Sequence, residues 1–309
     1  MTFTSGFVML SASLIVGRIT AMIILENEKI CAKISHHGAE LTSLFDKQMQ
    51  QEIIWEADPK HWARHAPVLF PNVGKYYEGT FLHNGKIYTE SQHGFARDMN
   101  FQCIESSSDS AKFLLKSNEE SFKRYPFVFE LEIGYKLSDK SITVTWKVNN
   151  TGAETMYFTI GGHPAFKVPY DKFEDYQLYF EGKDSLEYKL LDLGSGTIIA
   201  DSGVTLSLDN GKCRLRKDMF DSDALVFDKG QIEKLSILSP DGSKYVTLIS
   251  EGFPNYGIWS KPGAPFVCLE PWVGRADNFG FNEELKNKPG ITALSAGESF
   301  EISHSIVIR

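Results

Sequence analysis

The sequence predicts an all-β protein, a large antiparallel β-sandwich with a few short helical turns. Three observations carry that expectation. Apolar and polar residues alternate with a period of two over long stretches, the pattern of strands with one buried face. Turn-forming residues punctuate those stretches at short intervals, as in hairpin-rich folds. No long segment shows a helical period.

The elements follow in chain order. The patterned run MIILENEKICAKI begins at Met22. Short helical turns are expected near Asp58–Arg64, Ser121–Arg124 and Asn282–Leu285. Residues 112–116 alternate as a strand. Phe127, Phe129, Leu131, Ile133, Tyr135 and Leu137 then form one face, and Ile142, Val144, Trp146 and Val148 another. Ser138-Asp139-Lys140 joins the two runs as a hairpin. After a turn at Asn149–Gly152, Met156, Phe158 and Ile160 make a further strand. Residues 233–250 alternate around the Pro240-Asp241-Gly242 turn. The chain closes on Phe300, Ile302, His304, Ile306 and Ile308. No linker, low-complexity tract or repeat divides it, so residues 22–309 are expected to be one domain.

Residues 1–21 are read as an extension outside that domain. Phe7 to Val16 is mostly apolar, but it lacks the basic stretch that precedes a signal peptide core. It is also too short to span a bilayer. A weak signal peptide is the lesser alternative, and no membrane association is expected.

The 309 residues carry a net charge of -8 and a pI near 5.6. An acidic chain of this kind argues against nucleic acid as a partner. Cys31, Cys103, Cys213 and Cys268 form no CxxC pair, which removes zinc-ribbon and thioredoxin-type readings. Their sparse use fits a reduced, cytoplasmic protein. P-loop, GxGxxG and GxSxG motifs are absent.

Three short segments concentrate proton-handling chemistry: SQHGFARD around His93, GGHPAF around His163, and CLEPWVG around Glu270. Two imidazoles and a carboxylate can exchange protons near neutral pH without a cofactor. Alternation puts Glu270 on the face of Phe266 and Cys268, where a carboxylate is costly unless paired or functional. A structural ion pair accounts for it equally well. Pro271 is expected to end the strand ladder just beyond it.

The other residues of these segments carry weaker signals. Proline after His163 restricts its backbone, and Gly161 and Gly162 leave room for a ligand. His163 alone reads more readily as a turn histidine. Arg97 either anchors a ligand or Glu270, or covers Phe95 as a surface arginine. Lys75 is presented by the rigid turn Phe70–Lys75. His61 and His65 have the i,i+4 spacing of a metal pair, but no HExxH glutamate stands between them. No metal site is expected.

Taken together these segments resemble the aldose 1-epimerase (galactose mutarotase-like) superfamily, and most closely its LacX-like branch. The resemblance runs from about Met22 to the C-terminus. It rests on HGAELTSL, WEADPKHW, APVLFPNVG, QHGFARD, GGHPAF, FDSDALVF, YGIWSKPGAPF and CLEPWVGRAD, in that order. It implies a supersandwich with an open cleft, and cofactor-free exchange of the α and β anomers of a hexose or hexose phosphate.

The resemblance also implies roles. Glu270 would be the base and His163 the acid. His93 would contact the ring oxygen or a neighbouring hydroxyl. Asp223 is the expected sugar-binding aspartate, with Asp221 two residues away. Trp259 and Trp272 could pack on the sugar, although tryptophans more often serve the core. Lys75 stands where many relatives carry arginine. Lys75, Arg97 and Arg275 could receive a phosphate. The expected partner is a small carbohydrate, bound by a monomer or homodimer. Two alternatives remain: a non-catalytic sugar-binding or regulatory protein, and a lyase or hydrolase using Asp223 with Glu270.

Overall fold

A computed structural model describes residues 22–309; the extension expected over residues 1–21 lies outside the described residues. Antiparallel strands dominate, as the alternation predicts. Residues Phe129–Ser138 and Ser141–Asn150 form the hairpin expected from the sequence, paired from Phe129 opposite Asn150 to Ser138 opposite Ser141. They belong to a nine-stranded sheet that also holds the closing strand Ser299–Ile308. An eight-stranded sheet includes Asn255–Trp259, Phe266–Val273 and Ile160–Gly162. A four-stranded sheet is built from the first strands, Met22 to Glu52.

The main core contains residues from the two large sheets. Leu131, Ile133, Trp146, Val148 and Ile306 come from the nine-stranded sheet, and Ile160, Ile258, Val267 and Leu269 from the other. Each fully buried aliphatic or aromatic side chain contributes roughly 1.5–3 kcal/mol. Strand Phe266–Val273 is buried along its whole length. Its alternation therefore separates two apolar environments rather than core from water. Val267 and Leu269 join the main core, while Phe266, Cys268 and Trp272 belong to smaller clusters on the other side.

Helix is confined to short pieces. Glu119–Arg124 is capped by Asn118, whose side chain accepts from the Ser121 amide while the Ser121 hydroxyl accepts from the Asn118 amide. Leu285–Asn287 is a single 3-10 turn, just beyond the expected position. The segment Asp58–Arg64 is not helical. One turn closes on the Asp58 carbonyl, and the chain is then drawn out by Glu40, whose carboxylate accepts the amides of His65 and Ala66.

Gly161 and Gly162 make room for tryptophans rather than for a ligand. A Cβ on Gly161 would lie 2.4 Å from Trp272 Cδ1, and one on Gly162 3.1 Å from Trp146 Cζ2. Gly257, on the other neighbouring strand, would likewise meet Trp272 at 2.4 Å. The Trp272 indole thus occupies space that two glycines leave on the flanking strands. Gly161→Ala and Gly257→Ala should each destabilise the protein by about 1–3 kcal/mol through overpacking. Urea unfolding would measure this, and a change within experimental error would contradict the packing.

Candidate active site

His163 and Glu270 meet because two strand segments keep one register across a gap. Gly161 pairs with Trp272 and Ala165 with Cys268. Counting inward from both pairs puts His163 directly opposite Glu270. Pro164 and Pro271 fall inside this gap, and neither has an N–H to donate. Pro271 does not end the strand, which continues to Val273 and pairs there with Ile160. His163 Nε2 lies 3.2 Å from Glu270 Oε2. Both residues are buried, while His163 Nδ1 has no hydrogen-bond partner among the described residues.

This pair lies in the wall of a cavity of about 420 Å³, the size of a small-molecule site. Eight residues singled out from the sequence line it: Lys75, His93, Arg97, His163, Asp223, Trp259, Glu270 and Trp272. Asp221 does not line it. The sequence reading missed Trp62, Arg64, Gln92, Leu191, Leu193, Ile198, Ala224 and Val226. Trp62 and Arg64 sit inside the motif weighed for its histidines. His61 instead packs against Trp55, and His65 Nδ1 meets the Trp55 carbonyl.

Three rings fix His163. Trp62 stacks on it at 4.7 Å, while Trp259 and His93 approach edge-on at 5.6 and 5.5 Å. His93 has a left-handed backbone with φ 69°, a conformation that costs a non-glycine residue roughly 1–2 kcal/mol. Two contacts with Gly74 hold it there. The His93 amide donates to the Gly74 carbonyl at 2.8 Å, and the Gly74 amide donates to His93 Nδ1 at 3.1 Å. An accepting Nδ1 assigns the proton of the neutral ring to Nε2, and the Gln92 side-chain amide, 3.2 Å from Nε2, then presents its oxygen to that proton. The following Gly94 is obligatory, since a Cβ there would lie 2.2 Å from the Phe70 carbonyl oxygen.

Electrostatics divide the cavity. Burial, reinforced by the nearby Asp223 charge, raises the Glu270 pKa well above the usual carboxylate range. Burial, with Arg97 adding to it, lowers His163 to about 3. His93 is also pushed well below its ordinary value, first by burial and then by His163. Burial therefore favours the uncharged form of each of the three groups, and Glu270 Oε2 makes no hydrogen bond among the described residues.

The positive groups lie elsewhere on the lining. Arg97 donates to the Gln92 carbonyl at 2.6 Å, and its buried Nε has no hydrogen-bond partner among the described residues. It makes no ion pair with Glu270. Arg64 pairs with Asp98 at 2.8 Å. Burial and the Arg64 charge bring Arg97 down to about 10, which leaves it charged at neutral pH. Arg275, weighed as a phosphate ligand, is engaged by Asp228 at 3.1 Å and Asn278 at 2.9 Å and does not line the cavity.

His163, Cys268 and Glu270 place donor atoms within 4.8 Å of one another. Zinc coordination would require a thiolate. Burial opposes that by raising the Cys268 thiol well above its ordinary value, so the donor set fits a metal poorly.

A β-sandwich with a buried carboxyl–imidazole contact in the wall of a small-molecule-sized cavity is what the comparisons can be set against. The aldose 1-epimerase family model matches residues 21–305, and the protein belongs to this family. It is 32% identical to the plasmid-borne and chromosomal LacX proteins of Lactococcus lactis subsp. lactis over 301 residues, covering 92% of this chain and 98% of each relative. A galactose mutarotase related enzyme from Lactobacillus acidophilus superposes with a TM-score of 0.88 at 33% identity, covering 94% of this chain and 97% of that one. A galactose mutarotase-like protein from Lactobacillus casei gives 0.86 at 33% identity, with 94% and 100% covered.

The raised Glu270 pKa can be observed directly. Isotope-edited infrared titration should show its carboxyl protonated above the usual carboxylate range. Asp223→Asn should move that titration downward, because it removes a nearby negative charge. A Glu270 that titrates as an ordinary glutamate would contradict the electrostatics.

Proposed function

We propose that the protein interconverts the α and β anomers of a hexose or hexose phosphate by general acid/base ring opening. The observation that carries this reading is the buried contact of His163 Nε2 with Glu270 Oε2, 3.2 Å apart and out of water, and in this reading the pair holds a single proton. Ring opening needs one proton taken from the anomeric hydroxyl and one given to the ring oxygen. As the C1–O5 bond breaks, its electron pair goes to the ring oxygen and C1 becomes an aldehyde carbon. Rotation about C1–C2 exposes the other face, and the reverse step closes the opposite anomer.

Glu270 takes the hydroxyl proton and His163 supplies the ring-oxygen proton. The resting proton must first cross from Glu270 to His163. Both arrangements contain one proton, so the rate follows the population of the one-proton pair. His93 Nε2–H donates to the ring oxygen or an adjacent hydroxyl. Asp223 accepts from sugar hydroxyls, and Trp259 and Trp272 offer apolar surface to the ring. Lys75, Arg64 and Arg97 supply positive charge for a phosphate substituent. Among the described residues no helix is long and apolar enough to cross a membrane, and all four cysteines are free. The free cysteines fit a cytoplasmic setting, and the family supports a small carbohydrate as partner.

Glu270→Gln should slow anomer exchange by about 10²–10⁴-fold, followed by polarimetry or exchange NMR over free aldoses and their 6-phosphates. Retained activity would refute the base assignment. Sugar-induced thermal stabilisation without exchange in the unaltered protein would favour a binding protein. A change in product mass would favour a lyase or hydrolase.

The pH dependence has a definite sign. The pair loses its last proton as pH rises through its upper pKa, so kcat/KM should fall on the alkaline side of a limit above the usual carboxylate range. It should not fall between about pH 7 and 5, where an ordinary histidine would become charged. A decline over that interval would contradict the one-proton pair.

A further inference from the structure

His93 stands in the turn between Glu90 and Phe95, where His93 and Gly94 both take left-handed backbone angles, φ 69° and 68°. Such a conformation persists only where the surroundings over-determine it. One hold comes from Asn72, which is fully buried. Its side-chain amide donates to the carbonyls of Gly74 at 2.9 Å and Ser91 at 3.2 Å. The Gly74 carbonyl is the same one that receives the His93 amide. A second hold comes from Arg124, the last residue of the helix Glu119–Arg124.

Arg124 touches both ends of this turn. At the start it pairs with Glu90 and donates to Ser91 Oγ at 3.4 Å. At the end its guanidinium stands over the Phe95 ring, 5.4 Å from the centroid. An exposed ion pair contributes little to stability, but the Glu90 side chain is wholly out of water. The Glu90 oxygen that meets Arg124 also accepts the amide and hydroxyl of Ser91, at 2.7 and 3.0 Å. Removing the cation leaves that carboxylate buried without compensation and uncovers the Phe95 face. Neither Arg124 nor Glu90 lines the His163–Glu270 cavity, so any effect on it passes through the turn.

We infer that Arg124 is a positioning residue for His93. By joining the two ends of the turn it keeps the imidazole edge-on to His163, with Nδ1 on the Gly74 amide. The short helix, fixed by its Asn118 capping box, is the mount that delivers the guanidinium. This rests on the reading of His93 as a sugar contact in anomer exchange, but the state of the ring can be read without any sugar.

The ¹⁵N ring signals of His93 in the full-length protein, assigned with a His93→Asn variant, test it. The unaltered protein should show one neutral tautomer, protonated at Nε2. Arg124→Met, which fills the space without a charge, should shift or average those signals. Arg124→Lys should restore most of the original spectrum, and Lys123→Ala, at an exposed neighbour, should leave it unchanged. If exchange is catalysed, Arg124→Met should lower kcat/KM by about 10- to 100-fold, and this loss should vanish in the His93→Asn background. Should Arg124→Met fail to fold, the double variant Glu90→Gln/Arg124→Met, which removes the buried charge as well, decides in its place. Unchanged His93 signals, or a loss that simply adds to that of His93→Asn, would overturn the assignment. If exchange is absent altogether, the catalytic reading fails, while the His93 spectrum still decides this one.

Discussion

The contact between His163 and Glu270 depends on two strand segments that hold a common register while part of the ladder between them is open. Prolines on both sides, Pro164 and Pro271, offer no N–H there, and the Leu269 amide bridges the gap to the Pro164 carbonyl at 3.2 Å. Two side chains that might have been a routine cross-strand pair instead face a cavity, held out of water by the surrounding sheet. Burial then biases their state, raising the carboxyl pKa and lowering the imidazole to about 3. The Trp62 stack, the edge contacts of Trp259 and His93, and the glycines that admit Trp272 all maintain this arrangement.

The rest of the cavity is organised around that uncharged centre. Asp223 reinforces the protonation of Glu270, and Arg97 reinforces the neutrality of His163. His93 is kept neutral as well, with its Nδ1 occupied by the Gly74 amide. Lys75 is on the same lining. The positive groups thus stand apart from the His163–Glu270 contact on the same cavity wall.

Much of this was legible in the sequence because a period of two is a strong signal. It located the hairpin from Phe129 to Asn150 and put Glu270 on one face with Cys268 and Phe266. The resemblance brought distant segments together, and their singled-out residues line one cavity. What remained hidden depended on contacts between distant elements. Gly161 read as space for a ligand because nothing local reveals that Trp272 fills it. Pro271 read as a strand end because the partner across the gap was unknown. Trp62 and Arg64 were overlooked because the histidines around them suggested a metal motif. Leu191, Leu193 and Ile198 carried no distinguishing signal.

The central claim is that His163 and Glu270 share one proton in an uncharged pair. The most direct test is the ¹⁵N spectrum of the His163 ring in histidine-labelled protein, assigned with a His163→Asn variant. A neutral imidazole throughout the range from about pH 8 to 5 is the predicted result. An imidazolium in that range, whether fixed or appearing with an ordinary histidine pKa, would contradict the account.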